Sequence, residues 1–273
     1  MKIKSLLCCL GIFMSACSLA QGPNKVYTFA SKPAWADEFD GKGLPDPQRW
    51  SYDVGGHGWG NNEKQFYTKE DLDNARQEGG FLVIEARKEA IQGMEYSSAR
   101  LVTKGKGDFL YGRLEVKAKL PLGLGSWPAI WTLASRTSYG KDYWPDQGEI
   151  DIMEHVGYDP GVVHASVHTK RFNHIIGTQK TAKIKVPKVE DFHVYRIDWT
   201  PDYIQTFVDG QAYFRFENPK QTWEEWPFDQ AQHLLLNIAV GGNWGGAKGL
   251  DPSIFPIQMQ VDYVRYYPLI ETP

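Results

Sequence analysis

Apolar and polar side chains alternate along much of this chain with a period of two. Across residues 113–119, Leu114, Val116 and Ala118 are separated by charged residues, the pattern of a half-buried strand. Residues 81–84 form a short apolar run rich in strand formers, and residues 195–199, 234–240 and 259–267 read as further strands. Residues 203–208 and 212–216 flank Asp209-Gly210, a strong hairpin signal. Only residues 75–77 and 222–226 suit short helical turns. Many short strands punctuated by glycine and proline predict an all-β chain, a jelly-roll sandwich of two antiparallel sheets. One face of such a sandwich is concave, and an extended polymer can lie across it. No repeat or long linker interrupts residues 34–273, so they read as one domain.

Composition narrows the partners. The 273 residues carry 30 basic and 33 acidic side chains, and a net charge of −3 gives no reason to expect nucleic acid. No apolar run approaches the roughly 20 residues of a membrane-spanning helix. Aromatic residues make up 14% of the chain, with 10 Trp, which hints at a surface that stacks on flat, partly apolar ligands. The N-terminus differs from the rest. Lys2 and Lys4 precede an apolar stretch over residues 6–14, then Ser15, Ala16 and Cys17, the order of an export signal. A cysteine there resembles a bacterial lipobox. Residues 1–16 are therefore expected to be a signal peptide, Cys17 an acylated N-terminus, and residues 17–33 a polar tether. Cys8, Cys9 and Cys17 are the only cysteines, so the mature domain has no internal disulfide.

The chemistry concentrates in Asp146-Gln147-Gly148-Glu149-Ile150-Asp151-Ile152-Met153-Glu154-His155. On a strand, Glu149 and Asp151 share one face while Ile150 and Ile152 point into the core. Strict alternation would bury Glu154 unpaired, at high cost. A β-bulge at Ile152-Met153 removes the conflict: Met153 turns inward and Glu154 rejoins the other acids. Three carboxyls on one face cannot all be anions comfortably, so at least one keeps its proton near neutral pH. Two carboxyls roughly 5–5.5 Å apart would suit a retaining glycoside hydrolase. A calcium site or a solvated acidic edge strand are the plainer readings of the acids alone.

The run Glu149-Ile150-Asp151-Ile152-Met153-Glu154 resembles the signature of glycoside hydrolase family 16, in the bulged version of its laminarinase-like, agarase and carrageenase branches. Trp35-Ala36-Asp37-Glu38-Phe39-Asp40-Gly41, Gly125-Ser126-Trp127-Pro128-Ala129-Ile130-Trp131 and Val261-Asp262-Tyr263-Val264-Arg265 extend the resemblance over the mature chain. It implies a jelly-roll fold and a retaining mechanism, with Glu149 as nucleophile, Glu154 as acid/base and Asp151 tuning both. It also implies that Trp127 and Trp131 line a sugar cleft, with Trp144, Asn243 and Trp244 on its loops. His168 and His164 are expected beside the acids, on one strand face with Ser166.

Gly58-Trp59-Gly60-Asn61-Asn62-Glu63-Lys64-Gln65-Phe66-Tyr67 is similar to the laminarinase-like branch, which makes Asn61 a substrate contact with Glu63 behind it. Arg113 is expected to reach sugar near the cleaved bond. The resemblance further suggests a structural calcium held by Glu38, the Gly80 carbonyl and Asp262, and no cofactor for catalysis. The expected protein is an exported endo-β-glucanase acting on mixed-linkage or laminarin-type glucan. It would be a monomer tied to the outer membrane by its lipid alone and displayed at the cell surface. An agarase or carrageenase, or a non-catalytic glucan-binding protein, are the alternatives.

Overall fold

The computed structural model describes residues 25–270. The signal segment, Cys17 and the first part of the tether lie outside the described residues. Two sheets face each other. The concave one has eight strands, running Lys180–Lys185, Val162–His168, Glu149–His155, Ser126–Ala134, Gln232–Val240, Arg100–Val102 and Ser51–Tyr52, with Asp108–Phe109 also paired to Gln232–Val240. The back sheet has ten strands, among them Gly112–Lys119, His193–Trp199, Tyr203–Val208, Gln211–Glu217, Phe81–Ile91 and Ile257–Tyr267. Pairing is antiparallel except where Gln65–Tyr67 runs parallel to Met94–Ser98.

The period-two pattern accounts for this layering. In Gly112–Lys119 the even positions Leu114, Val116 and Ala118 are buried and the odd ones half-exposed. They pack with Ile130, Ile150, Ile152, Met153, Leu234, Leu236 and Ile238 from the concave sheet into one core. Gln232–Val240 is buried at every residue, because the core covers one face and the cleft wall the other. The hairpin at Asp209-Gly210 has positive φ at both residues, 49° and 81°, the conformation of a two-residue turn matched to strand twist.

Two sequence expectations change. Residues 75–77 are not helical: Ala75–Glu78 is a strand paired with Phe81–Ile91, turned back through Gly79 and Gly80, whose φ values are 62° and 84°. The tether does not reach residue 33 as free chain. Thr28–Phe29 pairs with Leu269–Ile270, the Arg113 guanidinium lies 4.8 Å from the Phe29 ring, and the Tyr27 hydroxyl bonds Asp202. These contacts bring residues 27–29 into the folded body.

Candidate active site

The acidic strand Glu149–His155 slips register where its alternation requires. Asp151 pairs with Trp131 and Ser166, and Glu154 with Ala129 and His164, so Ile152 and Met153 span the place of one residue on each neighbour. Both turn inward, 1% and 0% exposed. Glu149, Asp151 and Glu154 thereby line a single cleft of about 610 Å³. The same alternation sends Trp127, Ala129, Trp131 and Leu133 to that cleft from the next strand, and His233, Asn237 and Ala239 from the one beyond.

Each acid is held by a specific partner. The Trp144 indole N–H donates to Glu149 Oε2 at 2.9 Å, and the Trp127 indole N–H donates to Glu154 Oε1 at 3.1 Å. His168 Nε2 lies 3.2 Å from Asp151 Oδ2 and 3.8 Å from Glu149 Oε1. Burial pushes all three carboxyls up: Glu149 to about 8, Asp151 to about 7, and Glu154 well above the ordinary range, the Asp151 charge adding to the rise at both glutamates. His168 and the Trp144 N–H pull Glu149 back toward its anion. His168 and the Trp127 N–H pull Glu154 the same way, so burial is what holds protons on this array near neutral pH. Glu149, Asp151 and His168 place ligand atoms within 4.8 Å of one another, close enough for a metal. The interaction between Asp151 and Glu149 raises the Glu149 carboxyl and lowers that of Asp151.

This arrangement costs stability above neutral pH. A carboxyl whose folded pKa stands above its unfolded one favours the folded state at low pH, and that contribution is lost as pH rises through the folded value. Asp151→Asn is therefore expected to melt a few degrees higher than wild type at pH 8.5, the gap narrowing toward pH 4. Melting curves at the two pH values test this; an equal gap at both would mean that proton binding is not its source.

Around the acids, Asn61 lines the cleft and donates to Glu63, which is 7% exposed and also accepts from Gln65 at 2.6 Å. Trp131 lines it too, its N–H bonded to Asn237 at 2.7 Å. Asn243, Trp244 and His164 are not among the residues lining the cleft but adjoin it. Trp244 meets Trp127 and His164 edge-on at 5.4 and 5.1 Å, while Asn243 accepts from Asn62 at 2.8 Å. His168 touches the acids directly.

Arg113 is not in the site. It belongs to the back sheet, where its guanidinium bonds both oxygens of Asp198 at 2.7 and 3.0 Å. The polar face of its strand points away from the cleft, which alternation alone could not reveal. The calcium residues do not fit a cation as arranged: Glu38 is bound through both oxygens by Arg265 at 2.8 and 2.7 Å, and Asp262 meets Lys117 at 2.7 Å. Each carboxylate is already neutralised by a side chain of its own sheet.

The structure adds a wall that sequence reasoning missed. The Arg100 guanidinium sits 4.5 Å from the Trp59 ring and 4.6 Å from Trp131, and is ion-paired to Asp53 at 3.0 Å. Trp59 lay within the quoted Gly-Trp-Gly-Asn-Asn-Glu segment, but nothing around Arg100 marks it as a cleft residue. His174, from a loop facing Trp144 at 5.2 Å, is likewise unmarked.

Three buried carboxyls on one strand face, flanked by indoles in an open trough, suit a hydrolase of glycosidic bonds. The chain belongs to glycosyl hydrolases family 16, whose model matches residues 60–265. It is similar to a beta-glucanase from Rhodothermus marinus, 59% identical over 87% of this chain and 85% of that one. The laminarinase of the same organism superposes with a TM-score of 0.87 at 56% identity, covering 90% of this chain and all of that structure. A non-specific endo-β-1,3(4)-glucanase, solved with 1,3-β-D-cellobiosyl-glucose at its active site, gives 0.83 at 47% identity, covering 90% of this chain and 95% of its own.

Proposed function

We propose that this glycoside hydrolase is an endo-β-glucanase that cuts internal bonds of laminarin-type β-1,3-glucan and mixed-linkage β-1,3/1,4-glucan with retention. The observation that carries this is the bulge, which brings Glu149, Asp151 and Glu154 onto the floor of one open cleft. In the first step the Glu149 carboxylate attacks the anomeric carbon while Glu154 gives its proton to the departing sugar oxygen. In the second, Glu154 takes a proton from water, which attacks from the face the leaving sugar left and displaces Glu149. Asp151 stands beside Glu149, and His168, 3.8 Å from Glu149 and 3.2 Å from Asp151, favours the Glu149 anion. Trp127 and Trp144 serve twice: their N–H groups orient the acids, and as cleft-lining residues they present indoles to the apolar faces of glucose rings.

The agarase or carrageenase alternative is less favoured, because the Arg100 guanidinium in the cleft is already engaged by Asp53 and two indoles. A purely binding protein would have no use for three buried carboxyls gathered on one cleft floor at the cost of their desolvation. The N-terminal pattern extends the proposal: export, acylation of Cys17, and a monomeric domain held at the outer-membrane surface, where long glucans are accessible. Purified protein is expected to release reducing sugar from laminarin and barley glucan, the first product seen by NMR being the β-anomer. Binding without release, or an initial α-anomer, would defeat the enzymatic reading. Labelled palmitate should enter the wild type and not Cys17→Ser in the cell; equal labelling would remove the anchor.

A further inference from the structure

Two bulges face each other across the sandwich. In the concave sheet, Ile152 has no register partner on either neighbouring strand. In the back sheet, Thr206 pairs with Phe214 and Phe207 with Ala212, which leaves Tyr213 without one. Phe214 and Phe216 point into the core, so regular alternation would turn Tyr213 out to solvent. The second bulge turns it in beside Phe214 instead. There its hydroxyl donates to the Ile152 carbonyl at 3.2 Å. The extra residue of one sheet therefore binds the extra residue of the other. Burial, with the charges of Glu154 and Asp151 adding to it, raises the Tyr213 phenol, so it stays a donor.

We propose that Tyr213 is a positioning residue that pins the catalytic bulge, and through it the direction of Glu154. The inference rests on the reading of Glu154 as general acid. Glu149 and Asp151 precede the bulge and would keep their face without it. Glu154 follows it, and a bulge displaced by one residue would place Met153 in the cleft and Glu154 in the core. The Tyr213 hydroxyl gives the Ile152 carbonyl a donor from the opposite sheet, which fixes where the irregularity sits. The loss of that donor should therefore impair acid catalysis and leave nucleophilic attack intact.

The test compares two leaving groups. Tyr213→Phe is expected to lower kcat/KM on laminarin by about tenfold to a hundredfold, as misplacement of a catalytic group does. On a 2,4-dinitrophenyl β-glycoside of a short glucan, whose leaving group needs no proton, kcat/KM should stay within about twofold. The alkaline limb of the laminarin profile should move, and Tyr213→4-aminophenylalanine, which keeps a donor, should restore most of the activity. Equal losses on both substrates, no loss on either, or failure of Tyr213→Phe to fold would overturn the proposal, because the bond would then serve the sheet and not the acid. Glu154→Gln separates the two levels. If it too shows no difference between the substrates, the acid assignment falls and the proposal with it. If it shows the difference and Tyr213→Phe does not, only the proposal falls.

Discussion

Glu149→Gln is expected to lose at least about a thousandfold in kcat/KM on glucan while folding and binding as before. The amide fills the same space and can still meet the Trp144 indole through its oxygen, so the 2.9 Å contact that places the side chain is kept. What disappears is the anion that bonds to the anomeric carbon. Neutralising one member of a crowded acid array also lowers the repulsion on Asp151 and Glu154, so the variant should be no less stable than the wild type. A smaller change would show that water attacks without a covalent intermediate. Glu149→Ala with azide and a dinitrophenyl glycoside supplies a stereochemical check. Azide entering the vacated space displaces the leaving group once, from the α face, and the product should be the α-glycosyl azide. A β-azide there would mean that another residue is the nucleophile.

How much of this could be read before the fold was known depends on what fixes each residue's direction. The acidic strand was legible because burying an unpaired Glu154 costs more than a bulge, so energetics alone located the irregularity at Ile152-Met153. Trp127 and Trp131 share the cleft face because they are four residues apart on that same sheet, two steps of the alternation. Arg113 shows the limit. Its strand alternates as cleanly as any other, but alternation says which residues share a face and not which sheet the face belongs to. Arg100 and Tyr213 escaped for a related reason. Arg100 acquires its place from stacking between Trp59 and Trp131, neither of which adjoins it in the chain. Tyr213 depends on a bulge in the back sheet that lies just after an ordinary Asp-Gly hairpin, and no local conflict of burial announces it. The calcium expectation for Glu38 and Asp262 came from the family resemblance, which carries no information on the Arg265 and Lys117 that face them in this chain.

Glu154→Gln should damage the reaction in a different pattern from Glu149→Gln. Loss of the proton donor is expected to lower kcat/KM on laminarin by roughly 10²–10⁴-fold. A dinitrophenyl glycoside leaves without a proton, so kcat/KM for that substrate should change little. The pH profile carries a second signature. Glu154 must be protonated at the start, and burial holds its pKa well above the ordinary carboxylate range, so loss of that proton should give wild-type kcat/KM on laminarin an alkaline limb. In Glu154→Gln the alkaline limb should vanish, leaving the acidic limb on which Glu149 and Asp151 gain protons. Azide then completes a pair of opposed outcomes. In Glu154→Ala the nucleophile is intact, the glycosyl-enzyme still forms from the activated donor, and azide needs no base to displace it. Two inversions give the β-glycosyl azide, against the α-azide of Glu149→Ala. The same product from both variants would break the division of labour that the bulged strand sets up between the residue before the kink and the residue after it.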